Sequence, residues 1–255
     1  MSTIVHLSKP MTVHMAVEWF DIATANDFWI KRRFQVLRKL TRPLPISDFR
    51  VGEIGCGHGL VQQQFEKHFG IKVDGFDLNE AALRNSVAVS HARYCYNIFD
   101  RNPDFAGCYD LLVLFDVLEH IEQEQPFLEA VLFHLKPGGC LVINVPALMI
   151  LFSRYDQVMG HQRRYTLKQL NRVCQQMGLQ TLKASYWGLP FVPLLMLRRL
   201  WLAGQTDALA VTRRGYEPPG RLINALLTFG GALEPIPHPL FGTSVMGNYR
   251  KPATS

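Results

Sequence analysis

The sequence predicts an α/β fold, a doubly wound and mostly parallel seven-stranded sheet with an N-terminal helix and an inserted segment before the last strand. Three observations predict it. From residue 49 onward, short apolar runs alternate with helix-length segments, the rhythm of βαβ units with right-handed crossovers. A glycine-rich turn, Glu53 to Leu60, directly follows the first of these runs. A stretch rich in Leu, Pro and Arg, residues 187–239, breaks the rhythm before a final alternating run.

Each element follows from its residues. Residues 17–40 have helical character, and Pro43 and Pro45 end it. A strand over 49–54 leads into the glycine turn and a helix over 60–69. A strand over 72–76, a helix over 79–89 and a strand over 93–96 follow. Residues 111–115 form a continuous apolar run of the kind buried on both faces of a parallel sheet. A helix over 123–135 stops at Lys136-Pro137-Gly138-Gly139, a turn that precedes an apolar strand over 140–145. A helix over 166–177 closes at Gly178, a sixth strand spans 179–186, and 244–250 reads as an antiparallel last strand. The organisation is a helical cap (1–45), a core (46–186), an insert that serves as lid or interface (187–239) and the last strand with its tail (240–255).

Composition narrows the function classes. With 48% hydrophobic and 19% charged residues, disordered, collagen-like and coiled-coil chains are excluded. The longest apolar stretch on the C-terminal side, 188–197, meets Arg198-Arg199 well short of the roughly 20 residues a bilayer span requires. The first thirty residues lack the basic start and apolar run of a secretory signal, so a cytoplasmic location is expected. Five cysteines with no CxxC pair argue against a disulfide framework and a zinc site. Twenty-seven Lys and Arg against 21 Asp and Glu give a modest basic excess, spread over several Arg pairs.

The chemistry begins at Glu53-Ile54-Gly55-Cys56-Gly57-His58-Gly59-Leu60. Glycines at 55, 57 and 59 permit positive φ and let a ligand approach the backbone. Asp77 closes the next strand 22 residues after Gly55, where a carboxylate accepts both hydroxyls of a ribose. Together they point to a nucleoside cofactor. A dinucleotide fingerprint wants a small residue at position 60, and Leu60 stands there. The pattern E-x-G-x-G-x-G with an acidic residue ending the next strand resembles the class I S-adenosylmethionine-dependent methyltransferases, which implies their Rossmann-like fold and S-adenosyl-L-methionine as cofactor.

Further residues carry the resemblance. Phe115-Asp116-Val117-Leu118-Glu119-His120-Ile121 looks like the motif after strand four in small-molecule members, and Leu135 to Gly139 like their turn before strand five. Asn97-Ile98 takes the adenine-reading place, where Asp is usual and Asp100 is an alternative. Phe28-Trp29 with Arg33, Val145-Pro146-Ala147, and Gly160-His161-Gln162-Arg163-Arg164-Tyr165-Thr166 resemble a subgroup related to ubiquinone-biosynthesis (type 11/12) methyltransferases. Carried over residue by residue, the resemblance implies cofactor contacts at Trp29, Arg33, Glu53, Gly55, Cys56, Gly57, Asp77, Leu78, Asn97, Ile98, Phe115, Asp116 and Val117. Arg33, one helical turn from Trp29, suits the cofactor's carboxylate.

At the reacting end, methyl transfer from a sulfonium chiefly requires alignment, and a hydroxyl acceptor also needs a base. His161 and Tyr165 are the catalytic candidates, with His120, Arg163 and Arg164 as substrate-binding residues. No metal is expected, because no His/Asp/Glu cluster has metal-ligand spacing. The Asp/Asn-Pro-Pro-aromatic motif of nucleic-acid amine methyltransferases is absent after strand four, as is a Pro-Cys nucleophile, so a nucleic acid partner is not expected. The acceptor is a small-molecule or lipid-like compound methylated at O or N. Residues 189–202 suit a lid, a homodimer surface or a peripheral membrane contact, beside plain core packing. A dinucleotide-dependent oxidoreductase and a non-catalytic nucleoside-binding protein are the alternative functions.

Overall fold

The computed structural model of the chain describes residues 4–11, 27–88, 90–216 and 221–253. Its strands are β1 (Ile4–His6), β2 (Val51–Ile54), β3 (Val73–Asp77), β4 (Arg93–Cys95), β5 (Tyr109–Phe115), β6 (Leu135–Pro146), β7 (Gln180–Trp187) and β8 (Ser244–Arg250). They form one sheet in the order β1-β4-β3-β2-β5-β6-β8-β7. Every pairing is parallel except those of β8, which runs antiparallel to β6 and β7. The chain starts its winding at β2, lays β3 and β4 to one side and β5 and β6 to the other. The carboxyl ends of β2 and β5 therefore flank a topological switch point, where open α/β sheets bind ligands. Seven strands were expected. The eighth, β1, is a three-residue edge strand on β4, too short to carry a hydrophobic pattern.

The helices are α1 (Phe28–Leu40), α2 (Leu60–Phe69), α3 (Glu80–Arg84), α4 (Glu124–His134), α5 (Arg154–Val158), α6 (Leu167–Gln176), α7 (Val192–Leu202), α8 (Ala208–Tyr216) and α9 (Arg221–Leu233). Of the helix expected over 17–40, residues 17–26 lie outside the described residues. The helix expected over 79–89 is only α3. A tertiary bond and a local one end it: Val87 N–H reaches the His58 carbonyl at 2.9 Å and Ala88 N–H reaches Ser86 Oγ at 3.2 Å. The turn expected at 136–139 lies within β6, where these residues loop out between the Tyr109–Leu135 and Leu111–Cys140 pairs. Gly138, at φ 78°, makes that excursion possible without Cβ strain.

Alternation along β5 divides the core. Leu112 and Leu114 face Phe127, Leu128 and Val131 of α4 and Leu170 of α6. Leu111, Val113 and Phe115 face Phe34 and Leu37 of α1 and Val61 and Phe65 of α2. Each such buried side chain contributes roughly 1.5–3 kcal/mol. The insert over 187–239 folds as α7, α8 and α9, and one buried carboxylate gathers several of its ties to the core. Glu234, fully buried, accepts from Arg32 of α1 at 3.1 Å and from the N–H groups of Gly188 and Leu189 at 3.1 and 2.7 Å. His238 Nε2 lies 3.1 Å from the same carboxylate. These bonds fix the insert over the end of the sheet that holds the switch point.

Candidate active site

A cavity of about 1030 Å³ opens at the carboxyl ends of β2, β3 and β5 and runs beneath α7. Its sheet end is made by the glycine turn. Gly55, Gly57 and Gly59 have φ of 73°, 53° and 82°. A Cβ on Gly55 would sit 2.4 Å from Val117 Cγ2, so this position admits neither the conformation nor the volume of another residue. Asp77 ties the turn to β3: its Oδ2 accepts from Gly57 N–H at 2.7 Å and its Oδ1 from Asn79 N–H at 2.8 Å. Burial raises the Asp77 carboxyl above its ordinary range, although these backbone donors pull it down.

Next to the turn stand one acid and one base. Glu53 is 3% exposed and its Oε2 has no hydrogen-bond partner. Burial pushes it well above the ordinary carboxyl range, despite the opposing charge of Arg33. Arg33 pairs with Asp116 and lies over the Phe115 ring at 4.8 Å, with its Nε unbonded. Asp116 has a φ of 54°, a left-handed conformation that is costly for a residue with a side chain. It is held there by Arg33 and by Asn144 Nδ2, whose bond to Oδ1 is 2.6 Å, and Asn144 in turn accepts from Trp187 Nε1 at 2.8 Å. Trp29 stacks on Trp187 with ring centroids 4.3 Å apart. An acid and a base with unmatched polar atoms beside a positive-φ turn fit the two charges of an amino-acid end on a nucleoside.

All thirteen residues carried over as cofactor contacts line this cavity. Cys56 among them is buried, and burial raises its thiol well above the ordinary range, which favours the neutral thiol. Asn97 lines the cavity while its Oδ1 accepts from Phe99 N–H at 3.1 Å, capping the turn Ile98–Asp100. Asp100, the alternative adenine reader, is absent from the lining and accepts from Ser8 Oγ at 2.5 Å. That alternative is corrected, since the Asp100 carboxylate is engaged by Ser8 outside the cavity lining.

His120, His161, Glu119, Tyr155 and Arg164 also line the cavity. His161 Nδ1 lies 2.9 Å from Asp156 Oδ1, and its Nε2 lies 3.9 Å from Glu119 Oε1. Asp156 is fixed by Arg164 Nε at 2.8 Å and by Ser153 N–H and Oγ at 2.8 and 3.0 Å. Burial would raise its carboxyl, but the bond from His161 and the charge of Arg164 hold it below its ordinary value. His120 meets the His161 ring edge-on at 4.8 Å, and burial with that neighbour lowers it to about 4, leaving a neutral imidazole. Glu119 is fully buried, with neither carboxylate oxygen hydrogen-bonded.

Two residues from the 160–166 loop are elsewhere. Tyr165 is 3% exposed and absent from the lining; its hydroxyl donates to Glu124 Oε1 at 2.5 Å and reaches the Leu118 carbonyl at 3.3 Å. Its catalytic assignment is corrected, because the loop passes beside β6 and alternation turns residue 165 into the core. Arg163 also leaves the lining and bonds Glu124 at 3.2 Å and the Glu122 carbonyl at 3.1 Å. Its substrate-binding role is corrected, because the groups that hold it lie outside the cavity lining. Arg164 reaches the cavity but is occupied by Asp156 and by the Ala147 carbonyl at 3.1 Å, so it orients the aspartate that orients His161.

Sequence spacing did not reveal two features. Glu119, His120 and His161 each bring a ligand-type atom within 4.8 Å of the others, correcting the expectation that no such cluster exists. The loop achieves this through long-range bonds, Gln162 N–H to the Glu119 carbonyl at 2.9 Å and Gln162 Nε2 to the His120 carbonyl at 3.0 Å. Arg198 of α7 also lines the cavity; it donates to the Gly215 carbonyl at 2.7 Å and lies over Tyr155 at 4.5 Å, while its Nε lacks a partner. Phe191, Leu194, Leu195, Leu197 and Trp201 make the remaining wall apolar.

Comparison with known proteins agrees with this geometry. The family model described as a methyltransferase domain matches residues 28–184. The ubiquinone biosynthesis O-methyltransferase of Marinobacter nauticus is 29% identical over 140 residues, covering 51% of this chain and 58% of that protein. That of Cereibacter sphaeroides is 36% identical over 115 residues, covering 42% and 45%. The chain thus spans about half the length of the relatives it matches. A SAM-dependent methyltransferase from Archaeoglobus fulgidus shares the fold with a TM-score of 0.56 at 15% identity, covering 92% of this chain and 98% of that one. With the family match extending over more than half of its residues, and with an acid, a base and a glycine turn that fit the nucleoside, the chain belongs to the methyltransferase-domain family and takes S-adenosylmethionine as its cofactor.

Proposed function

We propose that this protein methylates a hydroxyl oxygen of a small, lipid-like acceptor, with His161 taking the hydroxyl proton. One observation carries the reading: His161, oriented by Asp156, lines the same cavity as the glycine turn. Bound at the turn, the cofactor supplies an electrophilic methyl group. Asp77 would hold its ribose, Glu53 and Arg33 its amino-acid end, and the lining side chains of Phe115 and Ile98 would cover its base. The apolar wall from α7 excludes water and receives the acceptor's hydrocarbon. His161 accepts the proton through Nε2, and Asp156 stabilises the imidazolium that forms. The relatives named for ubiquinone-biosynthesis O-methylation support oxygen over nitrogen.

The exposed rim of the insert supports a lipid-like acceptor, since Leu197 and Trp201 both line the cavity and reach solvent. Leu197, Leu200 and Trp201 of α7 are 64%, 71% and 58% exposed, beside Arg199. Apolar side chains with a basic neighbour suit a bilayer surface from which such an acceptor is taken. Among the described residues no helix is long and apolar enough to cross a membrane.

In a thermal-shift assay, S-adenosylmethionine and S-adenosylhomocysteine are expected to raise the melting temperature while NAD and NADP leave it unchanged. A product screen by mass spectrometry over phenols, quinol precursors, amines and lipid intermediates then assigns the atom. An oxygen-methylated product is expected, and methylation of amines alone would overturn the reading.

Cofactor binding is also expected to release a proton. Burial keeps Glu53 protonated above its ordinary range, and the ammonium of an amino-acid end favours its ionisation. A proton leaves on binding, so affinity rises with pH until Glu53 ionises in the free protein. Calorimetry in buffers of different ionisation enthalpy measures this, and identical apparent heats in all of them would exclude it.

A further inference from the structure

We propose that the acceptor carries an anionic group, a carboxylate or a phosphate, and that Arg198 and Arg214 of the insert receive it. The inference rests on the reading of this cavity as the acceptor site and adds a substrate class to it. Among the described residues, Arg33, Arg164, Arg198 and Arg214 are the arginines that line the cavity. The first two are paired with carboxylates, Arg33 with Asp116 and Arg164 with Asp156. The other two have no acidic partner among the described residues. Arg198 of α7 donates through Nη1 to the Gly215 carbonyl at 2.7 Å and lies over the Tyr155 ring at 4.5 Å. Its Nε is buried without a partner, and among the described residues Nη2 makes no hydrogen bond. Nε and Nη2 form the side-on fork of a guanidinium, which matches two oxygens of one anion.

A guanidinium in this setting lacks compensation. Burial lowers it below its ordinary value, yet arginine stays charged at neutral pH, and a charge withdrawn from water is costly unless paired. Leu194, Leu195 and Leu197 make the wall beside it apolar, so an anion would be attracted there more strongly than in water. Arg214 of α8 adds a second positive charge nearer solvent: it is exposed and lies over the Trp201 ring at 5.4 Å. Tyr155, beneath Arg198, and Asp156, which orients His161, are consecutive residues of α5. One short helix thus backs both the guanidinium that would hold the anion and the imidazole that would take the hydroxyl proton. The acceptor class that suits this arrangement is an amphipathic hydroxy acid or phosphate ester, with a hydroxyl, an anionic group and a hydrocarbon portion in one molecule.

The test measures binding of decanoate, decyl phosphate and decan-1-ol to the full-length chain saturated with S-adenosylhomocysteine, which fills the site of the cofactor's own carboxylate. By calorimetry, at least one of the two anions is expected to bind roughly 10- to 150-fold tighter than the alcohol, the scale of hydrogen bonds to a charged group. The tighter of the two assigns carboxylate or phosphate. Arg198→Gln is expected to remove the preference and leave the alcohol's affinity unchanged, and Arg214→Gln to reduce it less. Arg198→Met, a second neutral variant that keeps an apolar stem, is expected to behave as Arg198→Gln. Arg213 is exposed and absent from the cavity lining, so Arg213→Gln should keep the full preference. Equal wild-type affinities for the three probes, or a preference that survives in either neutral variant at position 198, overturns the proposal. So does loss of S-adenosylhomocysteine binding by Arg198→Gln with its melting temperature intact, since the guanidinium would then serve the cofactor. No methyl transfer is measured, so failure here and failure of the oxygen-methylation reading are separate results.

Discussion

His161→Gln is expected to lower kcat on a hydroxyl acceptor by about 100-fold or more, the scale of general-base loss, while cofactor affinity stays near wild type. Glutamine can keep a bond to Asp156 in place of the 2.9 Å contact of Nδ1, but it cannot take a proton. The control is Tyr165→Phe. Its hydroxyl is engaged by Glu124 and the Leu118 carbonyl outside the cavity, so kcat should remain close to wild type while stability falls by about 1 kcal/mol, a typical hydrogen bond. Steady-state kinetics with thermal denaturation measures both. Full turnover in His161→Gln would remove the base from the mechanism, and an equal loss in Tyr165→Phe would return the tyrosine to it.

Asp77→Ala is expected to weaken cofactor binding by about 1.5 to 3 kcal/mol, roughly 10- to 150-fold, as for hydrogen bonds to a charged group. The geometry adds a second source of loss. The same carboxylate accepts from Gly57 and Asn79 N–H groups, so its removal also loosens the turn that the cofactor rests on. Asp77→Asn retains one acceptor oxygen and should fall between. Calorimetry with S-adenosylhomocysteine reads the affinities, and equal affinity in Asp77→Ala and wild type would show that this carboxylate does not hold the ribose.

The cofactor end was legible because its determinants are local. Positive φ at Gly55, Gly57 and Gly59 follows from residue type and from a strand-to-helix turn, and Asp77 sits at a strand end whose position the apolar run fixes. Trp29 and Arg33 were found through one helical turn of spacing. The partner of Arg33 was not, since Asp116 meets it only after β5 is laid beside β2.

The acceptor end was less legible. His161 and His120 were selected by residue type and neighbourhood, and Tyr165 and Arg163 by the same reasoning, yet only the first two reach the cavity. Which side chains of a loop point inward depends on its register against β6, here set by the Tyr165 N–H bond to the Pro146 carbonyl at 2.9 Å and by the reciprocal Leu148 N–H bond to the Tyr165 carbonyl at 2.9 Å. No periodicity in seven residues encodes that choice.

By itself the sequence determined the doubly wound order, the antiparallel last strand, the glycine turn and the acidic residue that follows it, because alternation, helix period and glycine conformation act over a few residues at a time. Only the tertiary structure decided the edge strand β1, the shortness of α3, the anchoring of the insert through Glu234, and the meeting of Glu119, His120 and His161. Those features rest on contacts between residues 40 or more positions apart, or on a single hydrogen bond to another element. Their free energy comes from burying charge and satisfying backbone groups in the assembled core, which no local window contains.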